Sequence, residues 1–238
     1  MILKNLFFPP KCAICKKVLK ITHELPNICS QCEKEIKILP VKTCVKCGKP
    51  TDAGYDKPFC MYCTKNITSI DGVVSPFLYE GALRESVLRF KFSNKPYYAA
   101  TYAHFIAKRL EEYKLTSAFD AIVPVPIGKK RLASRGYNQT LITAKYLSKF
   151  TGKPVLDILK KIKDTPPQST LKISERKTNL KDAIVLKKNA PTVKRVLLID
   201  DVYTTGTTAK TCATVLHKGG IPRVLVSTVA MHMPSAQE

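Results

Sequence analysis

The stretch from Val196 to Thr208, VLLIDDVYTTGTT, constrains the fold more than any other in the chain. Val196, Leu197, Leu198 and Ile199 make a short continuous apolar run, the pattern of a strand buried on both faces of a parallel sheet. Asp200 and Asp201 are expected at its carboxyl end, where open α/β sheets hold ligands. Thr204, Thr205, Gly206, Thr207 and Thr208 then open a predicted helix that stops at Gly219-Gly220. Backbone amides at a helix N-terminus attract an anion, and a phosphate suits them. Two carboxylates beside such a cradle suit the ring hydroxyls of a ribose 5-phosphate. The alternative is a buried strand and a capped helix, with the acids merely solvated.

Eight of the nine cysteines fall into four C-x-x-C pairs: Cys12/Cys15, Cys29/Cys32, Cys44/Cys47 and Cys60/Cys63. Each pair is a knuckle that offers two thiolates to one metal ion, and two knuckles complete a tetrahedral shell. Four knuckles therefore imply two structural Zn²⁺ sites. Sequential pairing puts Cys12, Cys15, Cys29 and Cys32 on one ion, and Cys44, Cys47, Cys60 and Cys63 on the other. An interleaved cross-brace, first pair with third, is the alternative. Closed shells of four thiolates fold a segment and leave no open position for catalysis. His23, between the first two pairs, reads as a surface residue, and Cys212 as a small core residue.

The pattern divides the chain into a loop-rich zinc-ribbon module over 1–66 and an α/β domain over 67–238. In the second part, strands are expected at Gly72–Tyr79, Ala121–Val123, Val155–Leu159 and Arg223–Val229, besides the run at 196–199. Helices are expected at Gly81–Phe92, Tyr97–Tyr113 and Tyr137–Phe150, and residues 163–182 read as a long loop. Strands alternating with helices give a doubly wound parallel sheet.

Charge is the second unusual property. Forty Lys and Arg stand against eighteen Asp and Glu, a net charge of +22. Between Lys129 and Arg195 there are eighteen basic residues and four acids. Such a concentration favours a polyanion: a nucleic acid, a phosphate-rich ligand or an anionic surface. A Lys-rich, solvated surface is the bland alternative. No apolar run is long enough to span a bilayer and no secretory leader is evident, so a cytoplasmic location is expected, at the inner face of the membrane if membrane-associated.

The signature at 196–208 resembles that of the type I phosphoribosyltransferases, which bind phosphoribosyl pyrophosphate (PRPP). More of the chain resembles one family. Leu6-Phe7-Phe8-Pro9-Pro10-Lys11-Cys12-Ala13-Ile14-Cys15 looks like the start of ComF-type competence proteins. So do Tyr79-Glu80-Gly81-Ala82-Leu83-Arg84 with Lys91-Phe92, and Val123-Pro124-Val125-Pro126 with Arg131 and Arg135-Gly136-Tyr137-Asn138-Gln139. Gln168, Arg176, Asn179 and Leu180 fit the same pattern. The chain is identified as a member of the ComF (ComFC-like) family, a zinc-ribbon module fused to a type I phosphoribosyltransferase-like domain.

The resemblance implies a role in natural transformation, with single-stranded DNA as a partner. It implies that Asp200 and Asp201 take the ribose hydroxyls, that Thr204 to Thr208 take the 5-phosphate, and that Lys129, Lys130 and Arg131 hold the pyrophosphate. Mg²⁺ would accompany PRPP, and Arg176 would close over the leaving group. Candidate nucleic-acid contacts are Arg131, Arg135, Lys160, Lys161, Lys163, Arg176 and Lys177, with stacking expected from Tyr97, Tyr98, Tyr102 or Tyr137; a solvated basic face and core tyrosines are the alternatives. No general base or acceptor pocket is evident. Three functions follow: a DNA-uptake factor with a PRPP-type effector, an active phosphoribosyltransferase with a small acceptor, and an adaptor whose ribbons dock a helicase or membrane channel.

Overall fold

A computed structural model describes residues 9–20, 26–40, 42–51, 58–65, 69–163 and 182–233. His23, Gln168, Arg176, Lys177, Asn179 and Leu180 lie outside these residues.

The N-terminal part contains two copies of one small unit. Cys12 N donates to Lys17 O and Cys44 N to Lys49 O, each at 2.8 Å. Both turns place one residue in the left-handed region, Lys16 and Gly48, each with φ 69°. Gly48 tolerates no side chain, because a Cβ there would lie 2.5 Å from Val73 O. Short helices carry a cysteine of each second knuckle: α1 (Ser30–Glu35) bears Cys32 and α2 (Met61–Lys65) bears Cys63.

The rest is α/β. The strands are β1 (Gly72–Val74), β2 (Phe77–Leu78), β3 (Ala121–Pro124), β4 (Leu159–Lys161), β5 (Ile184–Leu186), β6 (Arg195–Tyr203) and β7 (Arg223–Met231). The helices are α3 (Gly81–Phe92), α4 (Tyr98–Glu112), α5 (Lys129–Arg135), α6 (Gln139–Thr151) and α7 (Thr207–Lys218). β1, β7, β6 and β3 lie in that order with all neighbours parallel, and β2 continues the β1 edge along β7. Val155 extends the far edge through a parallel bridge to Ile122. One face packs on Val87, Phe90, Ala103, Ile106 and Leu147 of α3, α4 and α6, and the other on Ala209, Cys212, Ala213 and Leu216 of α7. The expected doubly wound parallel sheet behind a double zinc ribbon is the observed architecture. No described helix is long and apolar enough to cross a membrane.

Four local expectations change. The strand expected over 72–79 breaks at Ser75-Pro76, because proline cannot donate to a ladder and survives only at an edge. The strand expected over 155–159 shrinks to the Val155 bridge, while Leu159–Lys161 pairs antiparallel with Ile184–Leu186. α5, with its basic residues, is a helix where the pattern predicts none. The signature strand also runs on to Tyr203, since Val202 and Tyr203 still pair with Ala230 and Met231. Asp200 and Asp201 therefore lie within the carboxyl-terminal part of the strand.

The ribbons are built into the domain. Leu39 N donates to Pro76 O at 2.9 Å, Leu78 N to Lys37 O at 3.0 Å, and Ile38 bridges Phe77 antiparallel. Ser86 and Arg89 of α3 donate to the carbonyls of Ala13 and Ile14, and Arg109 of α4 donates to Leu39 O.

Candidate functional site

β3 leaves the sheet after Pro124, its last partner being Ile199, and Val125 N closes the ladder on Ile199 O at 2.9 Å. From there the chain passes outward through α5 and α6 to Val155, while β6 turns the opposite way through α7 to β7. Connections diverging from adjacent strands create a crevice at their carboxyl ends, the usual ligand position in such sheets. Asp200 and Asp201 line this crevice because β6 outlasts β3.

Gly206 caps α7 at φ 72°, ψ 8°, a left-handed conformation that favours glycine. A Cβ there would also run into the Tyr203 ring and hydroxyl. Thr205 and Thr207 share a hydroxyl hydrogen bond of 2.9 Å, and residues 204–209 line a small pocket with Asp200, Val202 and Tyr203. The first amides of a helix have no intrahelical partner, so this loop can present them to an anion.

Charge around the acids is balanced by residues that sequence reading did not group with them. Lys91 Nζ of α3 reaches Asp201 Oδ1 at 2.9 Å. Burial, then the charge of Asp201, pushes the Asp200 carboxyl up to about 7, against the pull of the Asp201 amide and Lys91. Asp200 Oδ1 accepts that amide at 2.8 Å. Arg135 belongs here too: burial lowers its pKa, and Asp201 is the main charge opposing that shift. Its guanidinium stacks on Phe92, 4.8 Å from the ring centroid.

The segment Arg135–Thr140 holds this arrangement. Gly136, at φ 78°, ends α5, and the Tyr137 hydroxyl donates to Phe90 O. Asn138 caps α6, accepting Thr140 N at 3.2 Å, while Asn138 Nδ2 and Thr140 Oγ1 donate to Val125 O at 3.2 and 2.6 Å. The motif thus ties the end of α3, which carries Lys91, to the end of β3. The available signal was Lys91-Phe92 itself, whose side chains sit one past the other at a helix end.

Lys129, Lys130 and Arg131 form the first turn of α5, directly after the loop that follows β3. Lys160 and Lys161 lie on β4 and Lys163 just beyond it. Of the proposed stacking tyrosines, Tyr98 and Tyr102 are buried, Tyr137 is partly buried and bonded to α3, and Tyr97 is 41% exposed. Cys212 is fully buried, as expected of a core residue.

The cysteines gather in sequential fashion: within Cys12, Cys15, Cys29 and Cys32, and within Cys44, Cys47, Cys60 and Cys63, all sulfurs lie within 4.8 Å of one another. Four thiolates about 2.3 Å from a tetrahedral Zn²⁺ stand about 3.8 Å apart. The Sγ atoms of Cys15 and Cys29 are 3.7 Å apart, and those of Cys47 and Cys60 are 3.8 Å apart, so the donor sets fit zinc. In the first set, the Cys32 amide leads in drawing the Cys29 thiol down to about 7. In the second, burial works against ionisation of Cys44, but the amides of Cys60, Cys47 and Lys46 bring it to about 7.

Two thiolate cages ahead of a parallel sheet, with paired acids over a Thr/Gly loop at its crevice, define a double-zinc-ribbon protein with a doubly wound α/β domain. The double zinc ribbon family model matches residues 3–65. The chain belongs to the competence protein F family: it is 34% identical to Competence protein F of Haemophilus influenzae, over 92% of this chain and 96% of that one. It is 24% identical to Competence protein ComFC of Streptococcus pneumoniae, covering 88% and 94% of the two chains, and 28% identical to DNA utilization protein YhgH of Salmonella typhi, covering 92% and 95%. Similar solved structures include an adenine phosphoribosyltransferase, 15% identical with TM-score 0.38 over 60% of this chain and 74% of that one. Another is the purine phosphoribosyltransferase from Pyrococcus horikoshii Ot3, 23% identical with TM-score 0.34 over 57% and 73%.

Proposed function

We propose that this protein handles single-stranded DNA in the cytoplasm during DNA uptake and uses the crevice at Asp200 and Asp201 to bind PRPP or a related phosphoribosyl ligand. The observation that carries this reading is kinship over nearly the whole chain with proteins named for competence and DNA utilization. The eighteen basic residues against four acids between Lys129 and Arg195 supply the affinity for a polyanion. The ligand site draws support from the two acids, which suit a ribose diol, and from the α7 N-terminus, which suits its phosphate. Asp200 and Asp201 offer the hard oxygen donors that a Mg²⁺ bound to the ligand's pyrophosphate prefers, directly or through water. A DNA-uptake helicase or channel is the protein partner this role requires, and the ribbon module is its candidate docking surface.

The test is binding of single-stranded DNA by the zinc-loaded protein across a salt series, with and without Mg²⁺ and PRPP. Affinity should fall steeply with salt, and Asp200→Asn should remove the response to PRPP. A flat salt response rejects the DNA role, and PRPP binding that survives in the Asp200→Asn/Asp201→Asn double variant rejects the assigned ligand site.

A second reading, transfer of phosphoribosyl to a small acceptor, is favoured by the Asp200 carboxyl lying near neutrality. A group poised there can accept a proton from an attacking nucleophile. Release of pyrophosphate from PRPP that depends on an added base or amine, and is lost in Asp200→Asn, would support it.

A further inference from the structure

Phe92, the last residue of α3, is 68% exposed, whereas the neighbouring Phe90 is fully buried. It packs in neither core cluster among the described residues. Its ordered neighbour is a cation: the Arg135 guanidinium stands 4.8 Å from the ring centroid and is itself steadied by donating to Gln139 Oε1 at 3.1 Å. With the guanidinium over one face of a ring this exposed, the rest of the ring is left to solvent. Water is a poor partner for such a surface, and the π-face of a nucleobase is a good one.

Its surroundings favour a strand as occupant over a single nucleotide. α5 carries Lys129, Lys130, Arg131 and Arg135 with no acid, along a helix about 10 Å long. That length spans a short run of phosphates of a single strand. Tyr97, 41% exposed in the turn after α3, offers a second ring. Neither Phe92 nor Arg135 lines the pocket at Thr204–Ala209.

We propose that Phe92 and Arg135 form a stacking platform for an unpaired base of single-stranded DNA whose phosphates run along α5. The proposal rests on the DNA-handling reading above and locates it on the surface beside the phosphoribosyl crevice. Expected stacking by Tyr98, Tyr102 and Tyr137 is thereby replaced, since those rings are buried or bonded within the fold.

The experiment uses the full zinc-loaded chain and two labelled strands of equal length, oligothymidine and an abasic deoxyribose-phosphate strand, with anisotropy as the readout. The wild type should prefer the thymidine strand by roughly ten-fold. Phe92→Ala should erase that preference and leave the salt slope intact, and Phe92→Trp should keep it. Preference retained in Phe92→Ala overturns the platform. Equal loss of both strands in Phe92→Ala also overturns it, since the ring would then merely support Arg135. If the wild type binds neither strand, the DNA-handling reading itself fails; a wild type that binds both equally keeps that reading and rejects the platform.

Discussion

Lys91 Nζ lies 2.9 Å from Asp201 Oδ1, and the two side chains are only 17% and 18% exposed. A pair this buried is weak support for stability, because desolvation offsets much of the attraction. Its importance is to the neighbouring carboxyl. Burial and Asp201 hold Asp200 at about 7, and Lys91 is a cation that resists the rise. Replacing Lys91 with Met should raise the Asp200 pKa further. If PRPP binding requires ionised Asp200, its pH midpoint should then move up by roughly one unit. Calorimetric titration with Mg²⁺ and PRPP across neutral pH checks this, and an unmoved midpoint refutes it.

Asp200 should also cost the free protein stability. Its folded pKa of about 7 exceeds the ordinary 3.8, so the folded state holds the proton more tightly than the unfolded chain. Stability from this group is present in acid and lost as pH rises through 7. Asp200→Asn should therefore stabilise the protein by about 1–3 kcal/mol above pH 7, and hardly at all near pH 4. Thermal melts of both proteins at several pH values test it. A pH-independent difference would mean that Asp200 is not the titrating group.

Gly206 and Gly136 both sit at positive φ, but only Gly206 faces a side chain where a Cβ would go. Gly136→Ala should cost about 1 kcal/mol, the backbone strain alone. Gly206→Ala adds the collision with Tyr203 and should cost at least about 1 kcal/mol more, with loss of phosphoribosyl-ligand binding. Denaturant midpoints for the two variants would decide; equal losses would show that Tyr203 moves aside freely.

Zinc removal should reach well past the ribbons. The first cage is braced on α3 through the Ala13 and Ile14 carbonyls, and the second rests Gly48 against Val73 of β1. Chelation should weaken amide-exchange protection in α3 and β1 as well as around the cysteines. Cys12→Ser should loosen α3 more, and Cys44→Ser β1 more. Protection unchanged outside the ribbons would contradict this coupling.

Much of this molecule was legible from local pattern. The knuckle spacing named both cages, because a metal shell needs only four thiolates within reach and a loop short enough to bring them there. The apolar run at 196–199 marked the central strand, since burial on both faces leaves an unmixed signature. What escaped was non-local or masked by polarity. Asp200 and Asp201 concealed the continuation of β6 to Tyr203, because its partner β7, and not its own composition, keeps it extended. Lys91 and Arg135 approach Asp201 only once Tyr137, Gln139 and Asn138 have tied α3 and α6 to β3. Phe92 could not be told from a core residue until α3 had a buried face, which Leu83, Val87 and Phe90 provide.

The pairing of Lys37–Leu39 with Pro76–Leu78 covers one margin of the parallel sheet. A bare margin of that kind presents unmatched amides and carbonyls to any other chain and invites polymerisation. The segment covering it is suspended between the two thiolate cages. Metal supply would thus govern colloidal behaviour as well as shape, because chains stripped of zinc would offer that margin to one another.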